Sequence, residues 1–522
     1  MVDDDPVDGA VWYADEDSDG YGDEANPQQT CEDTKGLLTT GGDCDDTDAT
    51  VNPDAEEICN DRLDNNCDGT PDHCVWEVEI DMRWELLIEA NYPSEDLSYS
   101  GSYGDLNGDG DIELILSSYY AYVEESDNRP GTVQVFELPL TESMTRLDAD
   151  RFFTGENDAD AFGVSVAVAD LDGDGYDDLI SGARSHDPNG VNRAGSTYIF
   201  YGPITTDVLA VNADWILEGE VEQGRFGERM ELVGDLNNDG LPDFSSGSLF
   251  AIYDADIGES GMIRSYIASG TGTESERDSV YLTIYGAERS INLGSSQEGM
   301  DIDGDGFDEL LVGAEESESL YGAIYLFEEG RSGILSSADA DQIWLGESYV
   351  SYAGHSMDNP GDLNNDGVDD VLVSAKQAGD GAAYIVWGGS DLELASLADA
   401  DITIRGTRGG GRNFGGTVHG IGDLNEDGVP DILIGEGGVA PNDVYVFYGP
   451  FSASMVLDDL DADIVLTGDQ DEDEDYNLAL GPEDLTGDGV PDLLVGSHQN
   501  DYPSGDDVEW AGTAYIIPGV GL

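Results

Sequence analysis

Lysine is nearly missing from this chain: Lys35 and Lys376 are the only two among 522 residues. Basic residues number 18 against 115 acidic ones, for a net charge of −97. A surface of that sign repels nucleic acid and anionic lipid, which argues against both as partners. No run of about 18 apolar residues occurs, so no membrane-spanning helix is predicted. The opening MVDDDPVDGA lacks a basic stretch followed by an apolar core. No secretory leader is read there; either it has been removed from this numbering or the chain starts at a mature end. The five histidines (His73, His186, His355, His419 and His498) are scattered. There is no GxSxG elbow, HExxH pair or Walker loop, so no catalytic set is read. N-x-S/T sequons are also missing, which excludes sequon-dependent N-glycosylation.

Cysteine is confined to one end. Cys31, Cys44, Cys59, Cys67 and Cys74 all fall in the first 74 residues. Such clustering in a small acidic segment reads as a disulfide framework, and hence an oxidising, extracellular compartment. Proximity along the chain predicts Cys31–Cys44 and Cys59–Cys67, with Cys74 left over. Hydrophobic residues make up 39% of the chain, which argues against wholesale disorder.

What is abundant is one loop. At Asp362–Asp370 it reads DLNNDGVDD and runs straight into the apolar VLVSA. The same spacing, D-x-[DN/T]-x-D-G-x-x-[DE], starts at Asp105, Asp170, Asp235, Asp301, Asp362, Asp423 and Asp484, at intervals of 65, 65, 66, 61, 61 and 61 residues. Two further copies start at Asp15 and Asp64. A fixed period of this size signals repeat architecture.

Oxygens at positions 1, 3 and 5 converge if the backbone curls, and glycine at position 6 permits the turn. Position 7 offers its carbonyl and the acid at position 9 closes the shell. The candidate ligands are therefore Asp105, Asn107, Asp109, Asp111 and Glu113; Asp170, Asp172, Asp174, Tyr176 and Asp178; Asp235, Asn237, Asp239, Leu241 and Asp243. The next two sets are Asp301, Asp303, Asp305, Phe307 and Glu309, then Asp362, Asn364, Asp366, Val368 and Asp370. Asp423, Asn425, Asp427, Val429 and Asp431 follow, then Asp484, Thr486, Asp488, Val490 and Asp492. Near the N-terminus they are Asp15, Asp17, Asp19, Tyr21 and Asp23, and Asp64, Asn66, Asp68, Thr70 and Asp72.

A cage of hard oxygens suits Ca²⁺ rather than zinc or copper, and Mg²⁺ retains more of its own water. About seven ions are expected along the main array and two or more near the N-terminus. A lone copy reads equally well as a polar turn. Seven in register favour the ion, because three or four uncompensated carboxylates in one loop repel. These are not EF-hands. Position 12, which needs a bidentate Glu there, is Leu116, Ser181, Ser246, Val312, Val373, Ile434 or Val495. Nine divalent ions return only 18 charges, so they account for a minority of the acidity.

Residues 1–74 read as a small disulfide-linked, calcium-binding, loop-rich module, too polar to bury a core unaided. Its NPDAEEIC and DNNCDG elements resemble the MopE-type metal-binding motif of secreted bacterial proteins and, more distantly, thrombospondin type 3 repeats. Copper, which that name implies, is not carried over, since the segment holds only His73.

Residues 75–522 repeat one order of elements. An outer strand (RFFTGE, WILEGE, LTIYGAE, IWLGES, ITIRGT, IVLTGD) precedes an FG-like pair, as at Phe162-Gly163, Phe226-Gly227, Leu293-Gly294 and Phe414-Gly415. The acidic loop follows, then a strand ending in a Gly-Ala-like pair, then a strand such as STYIFYGP or DVYVFYGP. Four short β segments per unit make one propeller blade, and the fold class is all-β. This pattern resembles the FG-GAP repeats of the integrin α-subunit head, which implies a seven-bladed β-propeller. Blade 5 departs with Ala353-Gly354, blade 7 with Tyr476-Asn477, and blade 3 with SSGS in place of the Gly-Ala turn; these blades are expected to be irregular. Thr486 is expected to weaken the last loop.

The last unit has no outer strand after GTAYIIPG, while RWELLIE at Arg83–Glu89 is spare upstream. That segment is predicted to complete blade 7 and close the ring. Trp84, Trp215 and Trp344, in outer strands, read as blade packing rather than sugar stacking. The integrin resemblance implies surface adhesion or recognition of a protein or polysaccharide ligand through loops away from the cations. Two other readings stand beside it. One is a self-assembling fibre or surface-layer subunit; the other is a lectin or polysaccharide-cleaving enzyme.

Overall fold

In the computed structural model the chain divides into two compact units, Met1–Trp76 and Glu77–Leu522. The structure describes residues 11–15, 17, 20–22, 28–29, 37–44, 49–53, 55, 67, 76–79, 86–92, 94–123, 128–253, 256–267, 280–289, 291–390, 392–409, 411–438, 442–452, 455, 457–467, 476–497 and 512–519. No helix among them is long and apolar enough to cross a membrane.

In the first unit, Val11–Ala14 pairs antiparallel with both Gln28–Gln29 and Leu37–Leu38. Cys44 is joined to Cys67, with 5.7 Å between their Cα atoms. This overturns both pairings expected from chain proximity, Cys31–Cys44 and Cys59–Cys67. Folding, not sequence distance, decides which thiols meet, and here a separation of 23 residues is spanned. Cys31, Cys59 and Cys74 lie outside the described residues.

The second unit is a seven-bladed propeller. Blade 2 shows the plan: Phe162–Ala169, Asp178–Ala183, Ser196–Phe200 and Trp215–Glu218 pair antiparallel in chain order. These strands are rich in Val, Ile, Phe and Tyr and are buried on both faces, since each blade packs between two others. The inner strands of the other blades are Leu97–Gly104, Arg229–Leu232, Leu293–Met300, Ala353–Gly361, Phe414–Gly422 and Tyr476–Glu483. All three blades expected to be irregular show it in the inner strand: that of blade 3 is only four residues long, and those of blades 5 and 7 each shift register at two places along the next strand. The SSGS segment of blade 3 lies in a regular strand, Phe244–Ser248, paired on both sides. Blades 5 and 7 carry inner strands of nine and eight residues.

The ring closes as the spare strand predicts. Leu86–Glu89 pairs antiparallel with Thr513–Ile516 as the outer strand of blade 7. Neighbouring blades are also clasped at the rim. Short segments of blades 1, 2, 4 and 6 (Met144–Thr145, Val208–Leu209, Gly333–Ser336 and Leu457–Asp458) add a fifth, parallel strand to blades 7, 1, 3 and 5 respectively. Between blades, Trp344 is fully buried, and Trp215 is buried with its ring 6.0 Å from those of Phe244 and Tyr266. Both act as packing residues; Trp84 lies outside the described residues.

The seven inner strands surround a channel of about 770 Å³. They splay too far apart for a continuous backbone ladder, so hydroxyls bridge them. Ser165 donates to the Gly227 carbonyl at 2.9 Å, Ser296 to that of Gly354 at 2.9 Å, and Ser100 accepts from the Val166 amide at 3.1 Å.

Candidate metal centres

Each acidic loop joins the inner strand of a blade to the next strand, and all seven in the propeller fold alike. The position 1 carboxylate is the hub. Asp362 accepts from the Asp366 amide at 3.0 Å and the Gly367 amide at 2.7 Å. Asp170 accepts from Gly173, Asp174 and Gly175 at 2.8, 3.1 and 3.0 Å. Glycine at position 6 has φ near +90° in every copy, from Gly110 to Gly489, a conformation that costs other residues about 1 kcal/mol or more. The position 5 carboxylate caps the amide of position 7, as Asp488 does for Val490 at 2.9 Å.

Position 9 is deeply buried in all seven blades: Glu113, Asp178, Asp243, Glu309, Asp370, Asp431 and Asp492 are each at most 2% exposed. In six loops it accepts from the amide of position 2, as Asp370 does from Leu363 at 2.8 Å. The exception is the last loop, where Asp492 accepts from the Thr486 amide at 2.8 Å and Leu485 turns to the Glu483 carbonyl. Where position 9 is Asp, its second oxygen can tie down the end of the third strand. Asp178, Asp370 and Asp431 accept from Gly202, Gly388 and Gly449 at 2.8, 3.0 and 2.8 Å.

Two blades use the longer Glu, and its second oxygen fares differently in each. In blade 4 the Glu309 Oε1 is buried without a hydrogen-bond partner. In blade 1 the Glu113 Oε1 meets the guanidinium of Arg151 at 2.7 Å. Arg151 begins the outer strand RFFTGE and, among the described residues, is the only basic residue to begin an outer strand. The signal was readable in the sequence, but only the fold shows that this position reaches the loop.

Burial and crowding act on these acids in the metal-free chain. Burial pushes Asp178, Asp370 and Asp431 up to about 7, and the charges at positions 1, 3 or 5 add to the effect. Glu309 is pushed to about 8 by burial and by Asp303. Glu113 and Asp492 are raised as well, first by burial.

Acidic groups that could hold a metal therefore exist. Carboxylate oxygens of Asp105, Asp109 and Glu113, of Asp170, Asp172 and Asp178, and of Asp301, Asp303 and Glu309 lie within 4.8 Å of one another. That spread fits oxygens facing each other across one Ca²⁺ at about 2.3–2.6 Å each. The other four loops put Asn or Thr at position 3. In the first unit Asp15, Asp17 and Tyr21 are described, whereas Asp19, Asp23, Asp64, Asn66, Asp68, Thr70 and Asp72 lie outside the described residues.

The sequence matches three known families. Residues 43–73 match the Cu-binding MopE metal-binding motif, residues 162–200 the FG-GAP repeat, and residues 301–373 an FG-GAP-like repeat. Among curated relatives, integrin alpha-5 of Xenopus laevis is 34% identical over 253 residues, 47% of this chain and 22% of the relative. Integrin alpha-8 of Mus musculus is 30% identical over 235 residues, 44% of this chain and 20% of the relative. Phosphatidylinositol-glycan-specific phospholipase D of Mus musculus is 31% identical over 205 residues, 37% of this chain and 24% of the relative. The matched segment thus spans about a fifth to a quarter of these relatives' length.

Proposed function

We propose that this FG-GAP ring, integrin-α-like in sequence, is a calcium-loaded extracellular recognition module that binds a protein surface. Each propeller loop takes one Ca²⁺ through the side chains at positions 1, 3, 5 and 9 and the carbonyl of position 7. The N-terminal loops add two or more. The disulfide supports an oxidising exterior, where calcium is abundant enough for extracellular modules with affinities of about 10⁻⁴–10⁻³ M.

Recognition rests on one observation. Tyr and Arg gather at the turns on the face opposite the acidic loops, across blades 1 to 3. The Tyr119 ring lies 4.5 Å from Tyr99 and 4.4 Å from Tyr120, and the Arg184 guanidinium stacks 5.0 Å from it. Arg225 covers the Phe250 ring at 4.6 Å, and Arg184 and Arg225 share Glu228 at 3.2 Å each. Tyr119 is buried and serves as the platform, while Tyr120 and Arg225 are half-exposed. Tyr and Arg dominate the energetics of protein interfaces, and two of the chain's 18 basic residues meet aromatic rings here. The test applies the full chain, in millimolar calcium, to an array of surface and secreted proteins of its source. Saturable binding is expected, and Tyr120→Ala with Arg225→Ala should weaken it at least tenfold. Full-strength binding by that variant, or none by the parent, would overturn the reading.

The first loop should differ from the other six. Arg151 supplies Glu113 with an internal cation, which competes with calcium for that carboxylate. Arg151→Met is expected to tighten calcium at this loop roughly tenfold, about 1.4 kcal/mol. In chelator the same variant should lose about 3 kcal/mol, because a buried carboxylate loses its counter-charge and keeps only the hydrogen bonds from Leu106 and Asn107. Thermal melts with and without calcium read both signs; equal losses in the two buffers would rule the competition out.

A further inference from the structure

A second acidic constellation lies away from the loops, inside the channel. Five residues beyond the FG phenylalanine position, blades 3 to 6 present Glu231, Glu298, Asp358 and His419, all lining the channel. Blades 7, 1 and 2 put Gly, Ser and Ala there. The ring is thus acidic on one arc and small on the other.

The members of the arc are not equally satisfied. Asp358 accepts from the Gly420 amide at 2.8 Å and the Asn359 amide at 2.9 Å, with His419 at 3.7 Å. Glu231 is open to channel water and has its own strand's Leu232 amide and the nearby charge of Arg229. Glu298, between them, is 9% exposed and has no hydrogen-bond or ion-pair partner among the described residues. Burial and the charges of Asp358 and Glu231 hold its carboxyl well above the usual range. Lys376, the nearest lysine, is engaged by Glu315 at 3.1 Å and His355 at 2.9 Å. A carboxyl nine-tenths buried, unpartnered by the protein, facing the channel between two others, takes up either a proton or a cation from the channel, and no side chain among the described residues fills that role.

We propose that this arc binds a hydrated divalent cation, with Glu298 as its central anchor and Glu231 and Asp358 on either side. The arc is not among the groups whose oxygens converge within 4.8 Å, so an ion there keeps much of its water and is held partly through it. The channel has room, since a water occupies about 30 Å³. The small residues of the opposite arc offer no aromatic face at this level, which disfavours an organic ammonium. The site does not depend on the loops being occupied.

The experiment is anomalous diffraction from crystals of the full chain, freed of metal by chelation and soaked in terbium as a calcium substitute. An anomalous peak is expected in the channel beside Glu298 in the parent, and its loss is expected in Glu298→Gln while loop peaks persist. Filled loops with an empty channel in the parent would overturn the site, as would an undiminished channel peak in the variant. A channel peak with empty loops would sink the loop assignment and leave this one standing. In solution, Glu298→Gln should melt no lower than the parent in chelator, and its gain on adding calcium should be smaller by about 1 °C. An identical gain would count against the site.

Discussion

Moving the protein from 2 mM calcium to excess chelator is expected to lower its melting temperature by roughly 5–13 °C. With dissociation constants of about 10⁻⁴–10⁻³ M, each loop contributes about 0.6–1.8 kcal/mol by mass action. Seven loops together contribute about 5–13 kcal/mol, and a unit of this size loses about 1 °C per kcal/mol. The pH dependence should separate the two states. Asp178, Asp370 and Asp431 titrate near 7 and Glu309 near 8 in the metal-free chain, against about 4 when unfolded. Between those limits the native chain binds more protons than the unfolded one, so stability in chelator falls as pH rises through 7 to 8. Calcium binding improves over the same range as the protons leave. The calcium-dependent gain is therefore larger at pH 8 than at pH 5.5. Scanning calorimetry at the two pH values checks both statements, and a gain independent of pH would remove the loops from the account.

The second large effect concerns closure. A chain beginning at residue 91 is expected to lose the folded ring, whereas one beginning at residue 77 should keep it. The main difference is the strand Leu86–Glu89; the end of a short edge strand of blade 6, Trp76–Glu79, goes with it. Leu86, Leu87 and Ile88 are 9%, 6% and 0% exposed and join the apolar cores on the two sides of blade 7. Burying three such side chains is worth about 5–9 kcal/mol, comparable to the whole stability of many proteins. Their loss also bares the pairing edge of Thr513–Ile516, an invitation to strand addition between copies. Light scattering and circular dichroism on the two chains decide it. A monomeric residue-91 chain melting within a few degrees of its longer counterpart would refute the closure argument.

Much of this fold was legible because repetition amplifies weak signals. One DLNNDGVDD says little, but seven at a near-constant spacing fixed both the blade count and the loop positions. The missing outer strand could be found by counting elements, and Leu86–Glu89 fills it. What stayed hidden depends on where the chain reverses, in the first unit as in the blades. Cys44 meets Cys67 because the backbone folds back, and spacing carries no record of that. Arg151 reaches Glu113 only because the outer strand of blade 1 crosses back toward its own loop. Glu298 looks like one more acid in a very acidic chain until alignment on the FG position puts it beside Glu231 and Asp358. Blade 3 misled in a different way. Its atypical SSGS turned out regular, because small residues pair in a ladder as well as large ones do, and its inner strand is the short one.

The clasps at the rim bear on how such a protein meets others. In blades 1, 3, 5 and 7 the outermost donors and acceptors are already engaged, at least in part, by a parallel segment from the next blade. A foreign strand arriving sideways finds few free partners there, so β-augmentation by a peptide or a second copy is directed to blades 2 and 4, whose sheets end at Trp215–Glu218 and Gln342–Leu345. Lateral growth through the four clasped blades is discouraged by the same pairing. Beyond those two edges, contact is left to the two flat faces and the pore between them: one face carrying the acidic loops, the other tyrosine and arginine.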